Sequence, residues 1–299
     1  MMGASREGAA VLPIAMAILA AALYAISIPT SKLFLDELSP TMTASVLYLG
    51  AGVGMMAMVA GRRLIGHPEE NGTPDRHDLP FVIMMVVLDI AAPILLMLGL
   101  SMTTASSVSL MNNFEIVATT LIALFVFKEA ISRRLWMAIL IITASCMILS
   151  VDDVSDLSFN GGSLMVLGAC MCWGLENNCT RRLSSRDPMI ITTIKGIFSG
   201  LGALIVAFMT GTFSVSDSIP FVLLLGFLSY GLSIMLYIRS QRDLGAARVS
   251  AYYAVSPFIG VALSLIFLGE TPGGSFVLAL ALMLVCTALV TQDTIEESE

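Results

Sequence analysis

Apolar residues arrive along this chain in repeated runs of about 20, the length an α-helix needs to cross roughly 30 Å of hydrocarbon. Ten such runs are legible, at about 11–34, 41–61, 80–101, 104–127, 134–151, 161–183, 188–210, 219–240, 245–268 and 273–291, numbered here as spans 1 to 10. The connectors between them are short and carry turn residues, as in "DELSP", "SSRDP" and "GETPGG". One longer polar loop, "RRLIGHPEENGTPDRHD", follows span 2. The pattern predicts an all-α integral membrane protein with ten transmembrane helices. Arg6 before a run with small residues has the look of a signal peptide. The repeat described next places that first span in the mature protein instead.

The chain repeats itself. "YAISIPTSKLFLDELSP" at 24–40 and "WGLENNCTRRLSSRDP" at 173–188 each carry an aromatic, a polar middle, a basic residue, an acid and a Pro. "ASSVSLMNNFEIVATTLIALFVFKE" at 105–129 aligns without a gap on "AARVSAYYAVSPFIGVALSLIFLGE" at 246–270. Two domains follow, 1–150 and 160–292, each of five spans. Five is odd, so the second half enters the membrane from the opposite side. A 5+5 inverted repeat is expected to place a substrate site near the midplane, between the halves.

Composition agrees with the pattern and charge adds direction. The 299 residues are 57% hydrophobic and 12% charged, against about 25% charged in soluble domains. The N-terminus and the loops after spans 2, 4, 6 and 8 hold thirteen of the fifteen Lys and Arg. The positive-inside rule puts that side, with both termini, in the cytoplasm of a multi-pass plasma-membrane protein. The net charge of −7 comes largely from the opposite loops and the tail "DTIEESE". No basic face interleaved with aromatics exists, so nucleic acid is not an expected partner. The five cysteines all fall within spans, without metal-ligand spacing, and read as small packing residues. No cofactor or metal is expected. "GAGVG" at 50–54 follows no strand and reads as small-residue helix packing.

The blocks "WGLENNCTRRLS", "LMNNFEIVATTLIALFVFKEAIS" and "SPFIGVALSLIFLGE" resemble the EamA branch of the drug/metabolite transporter superfamily. The resemblance covers nearly the whole chain, and Glu129 and Glu270, which end spans 4 and 9, match that family's pattern. It implies a carrier of small metabolites, often an exporter, working by alternating access. It also implies a cavity lined by helices 1, 3, 4, 6, 8 and 9, and it leaves the cargo open.

Ionisable residues inside the membrane carry the functional reading, because a charge there is expensive and usually lines a pathway. Four lie well inside spans: Asp89, Glu115, Glu176 and Lys195. Glu176 and Lys195 flank the turn near Arg186 almost symmetrically, so they share a depth on antiparallel neighbours. They form a structural ion pair, or a pair that opens when substrate arrives, or else Glu176 faces the cavity alone. Asp89 and Glu115 flank the next such turn, near Thr103, and also share a depth. Two close carboxylates cannot both ionise cheaply, so one of the two would hold a proton, as a proton-coupled carrier requires. The alternative is that each faces its own neighbours.

On span 4, Asn112, Glu115 and Thr119 share a face; on span 6, Trp173, Glu176 and Asn177 form a similar stripe. The repeat sets Tyr252 and Tyr253 over Met111 and Asn112, and Tyr24 over Trp173. With Tyr230 on span 8, these residues describe an aromatic-walled pocket containing acids, suited to an organic cation or an amine. Interfacial belts and ordinary packing are the plainer reading of each Tyr taken singly.

The favoured function is a secondary active transporter of a small amine-bearing or cationic metabolite, such as an amino-acid exporter, linked to protons as an antiporter. Facilitated uptake or exchange of a neutral or quaternary-ammonium nutrient is the alternative. A membrane receptor or assembly factor is the alternative outside transport. Both histidines, His67 and His77, lie in the loop after span 2, so no Ser–His enzyme fits at membrane depth. No catalytic residue is expected.

Overall fold

The structure is a computed structural model describing residues 4–66, 72–127, 133–153, 158–183, 186–244, 253 and 255–296. Span 1 is α1 (Ala4–Ala25) and α2 (Ser27–Phe34), span 2 is α3 (Pro40–Leu64) and span 3 is α4 (Leu79–Met102). Span 4 is α5 (Ala105–Met111) and α6 (Phe114–Phe127), and span 5 is α7 (Arg133–Ser150). Spans 6 and 7 are α8 (Gly161–Leu183) and α9 (Pro188–Met209). Span 8 joins α10 (Ile219–Gly226) and α11 (Ser233–Leu244) through a π-helical turn, Phe227–Leu232. The described part of span 9 includes α12 (Ser256–Phe267), and span 10 is α13 (Gly274–Glu296). The only strands among the described residues are β1 (Val151–Asp153) and β2 (Ser158–Phe159), paired antiparallel in the connector between the halves. The periodicity, tuned to long apolar runs, gave no sign of them.

Five of these helical stretches are long and apolar enough to span a membrane: Leu12–Phe34, Pro40–Leu64, Leu79–Met102, Pro188–Met209 and Ile219–Tyr237. Among the described residues, shorter apolar helices lie at Trp136–Leu149, Ser256–Phe267 and Gly274–Ala288. α8 has 23 residues, with its polar patch Glu176–Asn178 set inside it. Helix starts follow local chemistry. Ser39 Oγ accepts the Met42 N–H at 3.2 Å before Pro40, and Asp187 Oδ1 accepts the Met189 N–H at 2.9 Å before Pro188. A cap followed by Pro at the first helical position opens both equivalent spans.

The ten spans form a 5+5 inverted repeat, and the packing carries its pseudo-two-fold. Span 2 packs on span 7, 4 on 9 and 5 on 10, so each crosses its own equivalent. Span 1 packs on span 8 as span 6 packs on span 3. The crossing of spans 2 and 7 is so close that only glycine fits. A Cβ on Gly52 would lie 2.4 Å from the Ile197 N, and one on Gly200, its equivalent, 2.7 Å from the Leu49 N. The "GAGVG" run is therefore a helix-packing surface, with Gly50 against the Leu223 backbone and Gly54 against the Phe227 ring. Apolar side chains such as Leu12, Ile83, Leu140 and Ile205 face outward, while Asp89, Ser45, Ser199 and Glu176 are buried. Outward-facing apolar residues and inward-facing polar ones suit lipid as solvent.

Spans 1, 4 and 8 are interrupted where the sequence pattern predicts continuous helices. In span 4 the break falls at Asn112–Asn113, where Asn113 Nδ2 donates to the Leu110 carbonyl at 3.0 Å. Such local side-chain bonds compete with the helical ladder. Pro29 follows the break in span 1, and a Pro withholds one N–H from its helix. Discontinuous helices near the midplane are where transporters build their sites.

Candidate functional site

Lys195 is the centre of a buried ion network. From α9 its Nζ lies 3.1 Å from Asp89 Oδ2 on α4 and 3.1 Å from Glu176 Oε2 on α8. Tyr48 on α3 donates its hydroxyl to Asp89 Oδ1 at 3.1 Å, and Trp173 Nε1 donates to the Tyr48 oxygen at 3.4 Å. Thr180 donates its hydroxyl to the same Glu176 carboxylate. Spans 2, 3, 6 and 7 are thereby tied through two acids and one ammonium. Charges taken out of water are tolerable when paired and fully hydrogen-bonded, and removing one partner strands the rest.

One member and one contact of this network were outside the sequence reading. Tyr48 gave no signal, since a lone Tyr in an apolar run also fits packing. The Asp89–Lys195 contact did leave one. Spans 3 and 7 enter from the same side, and Asp89 and Lys195 lie ten and seven residues from their helix starts. The difference of three residues is about 4.5 Å of rise.

Asp89 and Glu115 do not form the like-charge pair that equal depth suggested. Asp89 turns to Lys195 and Tyr48, while Glu115 turns to span 6. Asn177 Nδ2 donates to Glu115 Oε1 at 2.6 Å and to Thr119 Oγ1 at 3.3 Å. Depth fixes height along the membrane normal but not the direction a helix face looks. Glu115 opens the first turn of α6, where the N-terminal end of the helix dipole favours a carboxylate.

Tyrosines from three spans form a cluster of their own. Tyr24 on span 1 meets Tyr230 of the π turn at 5.9 Å between ring centroids and Tyr253 of span 9 at 5.8 Å. Tyr230 also meets Tyr48 at 5.4 Å, which links the cluster to the ion network. Tyr253 is held by Tyr237 at 4.9 Å and by the Ser233 hydroxyl at 3.3 Å. Tyr252 lies outside the described residues.

Two small cavities adjoin these groups. One, of about 10 Å³, is lined by Tyr24, Ala25, Ile28, Ser109, Asn112, Ser256, Pro257 and Gly260. Ser256 is the repeat equivalent of Glu115, so this space lies where spans 4 and 9 cross. Ser109 Oγ and Asn112 Nδ2 are buried beside it without hydrogen-bond partners among the described residues. The second, also about 10 Å³, adjoins Lys195, Tyr230, Tyr48 and Thr192. Each has room for about one water, so the conformation is closed around its polar centre.

Comparison with known proteins gives a concordant picture. The model of the EamA-like transporter family matches residues 11–151 and again 160–292. An uncharacterized transporter of Methanothermobacter thermautotrophicus is 26% identical over 269 residues, covering 85% of this chain and 78% of its own. The uncharacterized transporter YyaM of Bacillus subtilis is 18% identical over 199 residues, 63% of this chain and 65% of its own. A solved crystal structure superposes with a TM-score of 0.67 at 12% identity, over 96% of this chain and 97% of that one, a likeness of fold.

Proposed function

The chain belongs to the EamA-like transporter family, and on that premise we propose that it moves a small amine-bearing or cationic metabolite across the plasma membrane. It does so as a proton-linked secondary carrier working by alternating access, with both termini in the cytoplasm. The observation that carries this reading is the cluster of Tyr24, Tyr230 and Tyr253, whose Tyr24 lines a cavity with Asn112, three residues before Glu115, where spans 4 and 9 cross. Aromatic faces and a carboxylate together attract a cation. Glu115 is bonded by the neutral amide of Asn177 rather than by a cation, so its charge is available to a proton or to the amine. Asn112, Asn177 and Trp173 shape the pocket around it. Asp89 is the second proton-carrying group, and the Glu176–Lys195 contact is structural. Domains 1–150 and 160–292 supply the two walls that rock against each other.

The tyrosine cluster also favours a second reading, facilitated passage of a quaternary-ammonium nutrient, because such groups are held by aromatic faces without a proton partner. A thermal-shift panel of primary amines, amino acids, quaternary ammonium compounds and uncharged solutes on the purified protein separates the two. Stabilisation by amines or amino acids, lost in Glu115→Gln, supports the first. Stabilisation by quaternary compounds that survives Glu115→Gln supports the second, and no response to any class contradicts both.

A further inference from the structure

The end of span 9 reaches across to the start of span 4. Glu270 Oε1 accepts the Ala105 N–H at 2.7 Å, and Oε2 accepts the Ser106 N–H at 2.9 Å. The end of span 1 reaches the same place from the other side. Lys32 Nζ donates to the Thr103 carbonyl at 2.7 Å and to the Leu100 carbonyl. An acid therefore sits on free N–H groups where span 4 begins, and an ammonium sits on free carbonyls where span 3 ends. Each charge meets the end of a helix dipole of opposite sign.

These contacts do more than finish a helix. Thr104 Oγ1 already accepts the Ser107 N–H at 3.3 Å, so span 4 has a cap of its own. The additional acceptor comes from the other half of the chain, more than 160 positions away. It binds spans 4 and 9, whose separation at one face would open the space between them. The cavity lined by Ser109, Ile28 and Gly260 lies immediately beneath. Ser109 is three residues from Ser106, about 4.5 Å along the helix, and Ile28 is four from Lys32, about 6 Å. At this level Glu270 joins span 9 to span 4, and Lys32 joins span 1 to the turn that leads into span 4.

We propose that Glu270 and Lys32 form a latch that closes this face of the protein over the cavity, and that the latch must release before substrate enters or leaves there. The proposal rests on that cavity being part of the transport path. The salient property is breakability. The bonds are charge-assisted, only partly buried and close to the membrane surface, so water can replace them when the spans part.

The test is cysteine accessibility, which needs no substrate and so fails separately from the transport reading. The five native cysteines are replaced by alanine, and Ser109→Cys serves as reporter in proteoliposomes of uniform orientation. A membrane-impermeant maleimide is applied from either face. Glu270→Gln is expected to raise the labelling rate from the Glu270 face about 5- to 150-fold, the range of ordinary conformational coupling. The rate from the opposite face should stay level or fall. Lys32→Met probes the same latch from span 1 and should act in the same direction, which keeps the test alive if one variant folds poorly. An unchanged rate in both variants, or equal acceleration from both faces, would overturn the proposal and leave the contacts as structural caps.

Discussion

Two regions related by the pseudo-two-fold have opposite electrostatics. On one side Asp89, Glu176 and Lys195 form the buried ion network. At the equivalent positions stand Ser229, Ser27 and Leu47, set by aligning "LPFV" with "IPFV" in spans 3 and 8, Trp173 with Tyr24, and Pro188 with Pro40. All three are buried. Neither Ser229 Oγ nor Ser27 Oγ has a hydrogen-bond partner among the described residues. The fold therefore needs no charge at this place. The same crossing of helices is built once around an ion cluster and once around hydroxyls and a Leu. What the fold does need is retained in both copies: the cap followed by Pro, and the glycines at the crossing of spans 2 and 7. The charged copy is the one that departs from packing necessity, and buried ionisable groups in membranes mark function by default.

The comparison can be broken most forcefully at Lys195. Lys195→Met strands two carboxylates and is expected to lower stability by about 3–5 kcal/mol, measured by unfolding in detergent. Rewriting the region as its equivalent, with Asp89→Ser, Glu176→Ser and Lys195→Leu together, should recover most of that loss. A triple variant as unstable as Lys195→Met would show that the fold does need the charges at this place.

The glycines test the shared part. Gly52→Ala and Gly200→Ala should each destabilise by about 1–3 kcal/mol through overpacking, because each Cβ meets backbone of the opposite span. A tolerated substitution at one and not the other would mean that the two crossings are not equivalent. Tyr48→Phe sharpens the difference, since its equivalent is Gly196 and nothing on the uncharged side corresponds to its hydroxyl. Losing a bond to a charged group should cost about 1.5–3 kcal/mol in the same unfolding assay, and less once Asp89 is already Ser, when only the Trp173 Nε1–H bond is lost.

The smallest effect belongs outside the membrane, where Arg186 joins Asp75 at 2.6 Å and Asp78 at 2.8 Å. The Asp75 carboxyl is held below its usual value, chiefly by the His77 N–H, with Arg186 beside it. A depressed carboxylate contributes stability that is fully present above its unfolded value, about pH 4, and lost as pH falls through the lower folded value. Arg186→Ala should therefore speed exchange of the Asp187 amide, which donates to the Gly72 carbonyl at 3.2 Å, only modestly. The ratio to wild type should approach one in strong acid, and a ratio that grows as pH falls would contradict the assignment.

Much of this architecture was legible in the sequence because lipid imposes simple demands. Span length follows from membrane thickness, and the gapless match of 105–129 to 246–270 reveals the repeat. Helix interruptions were not legible from apolar periodicity, which is indifferent to Asn112–Asn113 or to a π turn at Phe227–Leu232. Side-chain direction was the other gap. Counting from turns gave Asp89 and Glu115 a common height, yet the rotation of each helix about its axis decided their partners. That rotation is set by packing against distant spans, through contacts such as Gly99 of span 3 against Gly162 of span 6 and Gly174 of span 6 against Ala118 of span 4.

The central claim is that the carboxylate of Glu115 exchanges a proton for a cationic substrate. Its most direct test is flux of the best-stabilising amine in proteoliposomes, with and without an imposed pH gradient, comparing wild type with Glu115→Gln. The account predicts that wild type accumulates the amine against its gradient when pH is unequal across the membrane. Glu115→Gln should fold normally and lose that accumulation. A Glu115→Gln protein that still concentrates the amine under the same pH gradient would contradict it.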